Sequence, residues 1–226
     1  MSSLRFMFAF CLVASIAPAQ ETYKAELLKS AAPDDIAEPI KKDLADSGVR
    51  VLNGQGKPFA EIWLRKGIPA SGKLDGAKGV IQFPVIAEGE LLGVVKFIAE
   101  GHDFRDQSIP PGVYTLRYGL QPVNGDHLGV SSFRDYGLLL PASKDVDLAL
   151  LARKKLETQS AETTGASHPA VLMLIGLPAG TKADPKIVRD DEKNTSGAIL
   201  AFPLVSGKGG DREVLTVQLV ISGMAM

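Results

Sequence analysis

The chain has 226 residues, 45% hydrophobic and 23% charged, with 25 basic residues against 26 acidic ones and a formal charge of −1. That length can bury one substantial core, the composition is that of a folded protein, and no surplus of positive charge exists to neutralise nucleic-acid phosphates. The single cysteine excludes a disulfide framework and any thiolate metal cluster.

Residues 1–19 read as a secretory signal peptide. Arg5 supplies the positive start, Phe6 to Ile16 an uncharged apolar core, and Ala17-Pro18-Ala19 a small-x-small cleavage signal before Gln20. The apolar core is too short to cross a bilayer, which takes about 20 residues, so no transmembrane segment is expected in the mature chain. Cys11 lies inside that core, behind Phe10 rather than the small residues of a lipoprotein signal, and leaves with it. The mature chain, 20–226, is expected to be a cysteine-free exported domain, periplasmic or extracellular.

Residues 20–34 carry no clear pattern. A helix is predicted over 35–47, with Asp35 as N-cap, Glu38 three residues on, and an apolar stripe of Ile36, Ile40 and Leu44. The period then switches to two. Val49–Leu52 and Phe59–Leu64 flank Asn53-Gly54-Gln55-Gly56, a hairpin signal. Further strands are predicted at 80–87, 91–99, 113–121, 136–140, 170–177, 198–205 and 213–222. In 113–121, Tyr114, Leu116, Tyr118 and Leu120 alternate with Thr115, Arg117 and Gln121. A second helix is predicted over 145–158, capped by Ser143 or Asp145. Leu148, Leu151 and Ala152 form its buried side, and Arg153, Lys154 and Lys155 lie towards its end. Residues 67–78 and 177–196 read as loops. Strands joined by Gly/Pro turns, with no regular helix alternation, predict a mainly β protein: a single antiparallel β-sandwich domain with two peripheral helices. Its core should include Tyr114, Leu116, Tyr118, Leu120, Leu138, Leu140, Leu172, Leu174, Val217 and Leu219.

Familiar catalytic and cofactor motifs are missing: no Gly-x-Ser-x-Gly elbow, no His-Glu-x-x-His helix, no phosphate loop and no dinucleotide fingerprint. No cofactor and no metal are expected. The densest polar stretch is 121–135, QPVNGDHLGVSSFRD. Read as function, Asp126 and His127 face a ligand, Arg134 holds an anionic group, and Asp135 and His168 complete the candidate set. Read as structure, Asn124-Gly125 is a turn, Asp126 accepts backbone N–H bonds, and Arg134 pairs with Asp135 or another acid. The three histidines, His102, His127 and His168, all adjoin loop signals, so a shared metal site requires that the fold bring two of them together. Trp63 reads as packing rather than as a stacking platform.

The segments IPPGVYTLRYGLQPVNGDHLGVSSFRDYGLLLPA (109–142), AEIWLRKGIPA (60–70) and SHPAVLMLIGLP (167–178) resemble a family of exported bacterial β-rich proteins of unknown function. The resemblance implies export and a β-rich fold, and transfers no catalytic residue. The expected function is a non-catalytic binding or structural module of the cell envelope with an envelope or extracellular partner. The alternative is an exported metal-binding protein or hydrolase using the His/Asp/Arg loop.

Overall fold

The computed structural model describes residues 22–123, 132–178, 180–207 and 209–223. Residues 1–19, which the sequence predicts to be a signal peptide, and Asp126 and His127 lie outside the described residues. In chain order the strands begin with β1 (Lys24–Leu28), β2 (Gly48–Leu52), β3 (Pro58–Leu64), β4 (Ile68–Ala70) and β5 (Leu91–Phe97). A two-stranded ribbon follows, β6 (Gly101–His102) with β7 (Ser108–Ile109). Then come β8 (Gly112–Leu120), β9 (Asp135–Pro141), β10 (Val171–Gly176), β11 (Ile187–Asp190), β12 (Thr195–Ser206) and β13 (Asp211–Ser222). The two helices are α1 (Glu38–Asp43) and α2 (Arg153–Thr164). The protein is mainly β, as the strand periodicity predicts.

The ladder runs β1-β2-β3-β5-β8-β9-β10-β13-β12-β11, each pair antiparallel. It is one sheet curled into a half-barrel, so the two stacked sheets of a sandwich are not confirmed. Alternation reports that a face is buried; it does not report whether a second sheet or the far side of the same sheet covers it. Here the inner face closes on itself. Val51 and Ile62 near one end share a core with Leu116, Leu172, Phe202 and Leu219. Register shifts at Val51/Leu52, Leu91/Gly93 and Ser196/Gly197 add the local twist that curling needs. At Gly93 the strands approach so closely that a Cβ would lie 2.2 Å from the Trp63 carbonyl oxygen. The short β4 leaves the end of β3 and pairs in parallel with β12, Ile68 opposite Leu204, which straps the two halves of the sheet together.

The ten predicted core residues are buried, apart from the half-buried Leu120. Leu138 and Leu140, however, face outward beneath α2, whereas Leu139 between them faces the inner core. The strand predicted over 80–87 is irregular, with only an isolated bridge between Lys78 and Ile81, because its amides are taken by side chains described below. The predicted loop 177–196 contains β11, and the loop 67–78 contains β4.

Both helices differ from their predicted spans. The helix expected over 35–47 is the six-residue α1, preceded by Ala37 without a side-chain cap rather than by Asp35. It stops because Leu44 turns extended and bridges to Arg65. Its stripe is real: Ile36, Ile40 and Leu44 pack on the outer face against Trp63, Leu91 and Val94. Trp63 is buried, and its Nε1 donates to the Ser30 carbonyl at 2.9 Å. The helix expected over 145–158 starts at Arg153, because Asp145 is drawn down onto the sheet instead of capping. Arg153, Lys154 and Lys155 therefore occupy the first turn, the end the helix dipole disfavours for cations. The buried face of α2 is Leu156, Ser160 and Thr163. Ser160 Oγ donates to the Ala170 carbonyl and accepts from its N–H, and Thr163 Oγ1 donates to the Leu139 carbonyl at 2.8 Å.

Candidate functional site

Of the sequence-derived candidates, Arg134, Asp135 and His168 are described, and they do not form one site. Asp135 is 1% exposed at the start of β9. Its carboxylate accepts the Gln82 N–H (2.8 Å), the Phe83 N–H (3.0 Å) and the Tyr118 hydroxyl (2.6 Å). This clamp holds the irregular 80–83 segment across the sheet end and removes its amides from any ladder. Burial and the Asp135 charge push the Tyr118 phenol far above its ordinary range, so it stays a donor. The expected Arg134–Asp135 pair is replaced by a backbone contact: Arg134 Nε donates to the Gln121 carbonyl at 2.5 Å, and its own N–H donates to Val80 O. His168 is exposed in the α2–β10 connection. His102 lines a different, smaller cleft with Tyr23, Asn53 and Phe59, so these two histidines do not converge. Among the described residues, no three His, Cys, Asp or Glu side chains gather as metal ligands.

Other buried charges serve the fold. Arg117 is fully buried, and all its N–H groups are engaged. Nε and Nη2 grip both oxygens of Asp145 at 2.6 and 2.8 Å, while Gly89, Asp147 and Ala149 offer carbonyls at 2.7–2.8 Å. Arg65 bridges Asp43 and Glu90, the latter at 2.5 Å. Burial pushes the Glu90 carboxyl above its ordinary range, although Arg65 pulls the other way. A carboxyl raised in this way keeps a proton that the unfolded chain has released. Its contribution to stability therefore falls as pH rises from the ordinary carboxylate pKa through the raised one. Glu90→Gln, which mimics the protonated form, should gain stability relative to the wild type as pH rises above the ordinary carboxylate range of about 4. Urea midpoints over that rise check this; a wild type that gains on the variant as pH rises contradicts it.

A cleft of about 520 Å³ opens on the outer face between α2 and the sheet. Phe104, Tyr136, Leu138 and Val171 form its apolar floor, with the Phe104 and Tyr136 rings 6.0 Å apart and tilted. α2 contributes Glu157, Thr158 and Ala161 to one wall. The other wall is laced together around the buried Asp103, whose carboxylate accepts from the N–H groups of Arg105, Gln107 and Val171 and from Gln107 Nε2. Gln107 Nε2 also donates to the Pro169 carbonyl at 3.1 Å, and the Phe104 N–H to Val171 O at 2.9 Å. This cleft contains His168 but neither Arg134 nor Asp135.

Sequence reasoning missed Phe104, Arg105, Tyr136 and Glu157. The Gly101-His102-Asp103-Phe104-Arg105 run is the available signal, an Asp followed by an aromatic and a cation in a turn. No protein-family model, curated protein or solved structure matches the chain.

Proposed function

We propose that this is an exported, non-catalytic binding module of the cell envelope that takes a small ligand into the cleft beneath α2. The observation that carries the reading is the cleft itself: an apolar floor with a few polar groups at the rim, in the size range of small-molecule sites. The commitments of the buried carboxylates support it further. Asp103, Asp135 and Asp145 are each engaged by the chain's own N–H, hydroxyl or guanidinium groups, which leaves them little capacity for chemistry. The alternative, a metal or hydrolytic site built from Asp126, His127, Arg134, Asp135 and His168, draws less support, because Asp135 is closed in by Gln82, Phe83 and Tyr118.

The test uses Nile red, a neutral dye that brightens in apolar surroundings. Wild-type protein is expected to take it up saturably, and Ala161→Trp, which fills the cleft from α2, to reduce the uptake at least about tenfold. Equal uptake by a variant with an unchanged melt sinks the cleft reading. Export has its own readout. N-terminal sequencing of the protein from a bacterial envelope fraction should begin at Gln20; a chain that retains Met1 overturns it.

A further inference from the structure

We infer that the ligand is a small amphipathic carboxylate, its apolar body on the Phe104–Tyr136 floor and its carboxylate held at the mouth by Arg105 and His168. The inference rests on the cleft being the binding site and adds the chemical class of what enters it.

The two groups reach the cleft from different connections, Arg105 between β6 and β7 and His168 between α2 and β10. They share a wall because the chain stitches those connections together next to both residues. The bonds Gln107 Nε2 to Pro169 O, Phe104 N to Val171 O and Val171 N to the Asp103 carboxylate fix the backbone on either side. Asp103 also accepts the Arg105 N–H itself at 2.8 Å, so the base of the arginine is anchored while its side chain stays exposed. Among the described residues, neither the Arg105 guanidinium nor the His168 imidazole has a hydrogen-bond or ion-pair partner. Elsewhere in the fold Arg50, Arg65, Arg117 and Arg153 all pair with acids.

Glu157, the acid on the opposite wall, lies 4.0 Å from Arg153, one turn earlier on α2. The cleft therefore has one wall whose acid is partly neutralised by its own helix neighbour, and one wall with donors left over. A guanidinium offers two parallel N–H groups that match a carboxylate, and a neutral or charged imidazole adds a third donor. An apolar floor of aromatic and branched side chains beside that wall selects a ligand with a hydrocarbon body rather than a free inorganic anion.

The experiment displaces Nile red from the wild-type mature protein with decanoate, decanol or decyltrimethylammonium, each below its micelle concentration. Decanoate should compete at about tenfold lower concentration than decanol, the difference expected for one charge-assisted contact, and the cation should be weakest. Arg105→Gln should bring decanoate to within about twofold of decanol, and Arg105→Glu should reverse the order of anion and cation. His168→Gln should cause a smaller loss of the same kind. Equal competition by decanoate and decanol, or a decanoate preference that survives both Arg105 variants, overturns the inference and leaves the cleft reading standing. A wild-type protein that takes up no Nile red, or dye binding that persists in Ala161→Trp, overturns both.

Discussion

Asp145→Ala is expected to destabilise the protein by about 3–5 kcal/mol, the range for breaking a buried ion pair from one side. The cost comes from what remains. Arg117 would keep its charge at 0% exposure with the carbonyls of Gly89, Asp147 and Ala149 as its remaining hydrogen-bond acceptors, and Thr115 Oγ1 would lose its 2.6 Å bond to the same carboxylate. Asp145 also anchors the 142–152 segment to β8, so its loss frees the approach to α2. Replacing both partners, Arg117→Met with Asp145→Leu, should cost clearly less than the single change, because no unpaired charge is then buried. Urea unfolding of the single and double variants measures both. A double variant at least as unstable as Asp145→Ala would mean that the pair, rather than the orphaned charge, carries the stability.

Asp135→Ala should cost on the order of 3 kcal/mol, since it leaves the Gln82 and Phe83 amides and the Tyr118 hydroxyl without their acceptor in a buried place. Asp135→Asn should recover only part of this, because its amide group would turn N–H against N–H on one side of the clamp. Tyr118→Phe removes one of the three donors. Added to Asp135→Ala it should therefore cost less than it does alone, with a coupling of about 1 kcal/mol in a double-mutant cycle. Thermal or urea melts provide the readout. If Asp135→Ala melts like the wild type, the carboxylate is not part of the framework and its place among ligand-binding candidates is restored.

The sequence alone determined the mainly β class, most strand positions and one face of the core. Those features are written in nearest-neighbour alternation, and β8 is the clearest case: Tyr114, Leu116 and Tyr118 point into the core as their spacing requires. The 53–56 turn likewise joins β2 to β3, because hairpin chemistry is local. What failed needed information from far along the chain. Residues 80–87 have strand composition, yet Asp135, some 50 residues later, takes the Gln82 and Phe83 amides. Asp145 has the look of a helix cap, yet Arg117, 28 residues earlier, claims both its oxygens. α2 hid its buried face because two of its three buried residues, Ser160 and Thr163, are polar and bond to the Ala170 and Leu139 carbonyls, whereas the expected apolar side was Leu148, Leu151 and Ala152. Whether the strands form two sheets or one curled sheet depends on β10 pairing with β9 along one part of its length and with β13 along the other, Val171 opposite Leu138 and Leu174 opposite Leu219, contacts between distant residues that leave no local mark. The cleft was invisible for the same reason. Arg105 and His168 lie on separate connections, and only the bonds of Asp103 and Gln107 bring those connections to one wall.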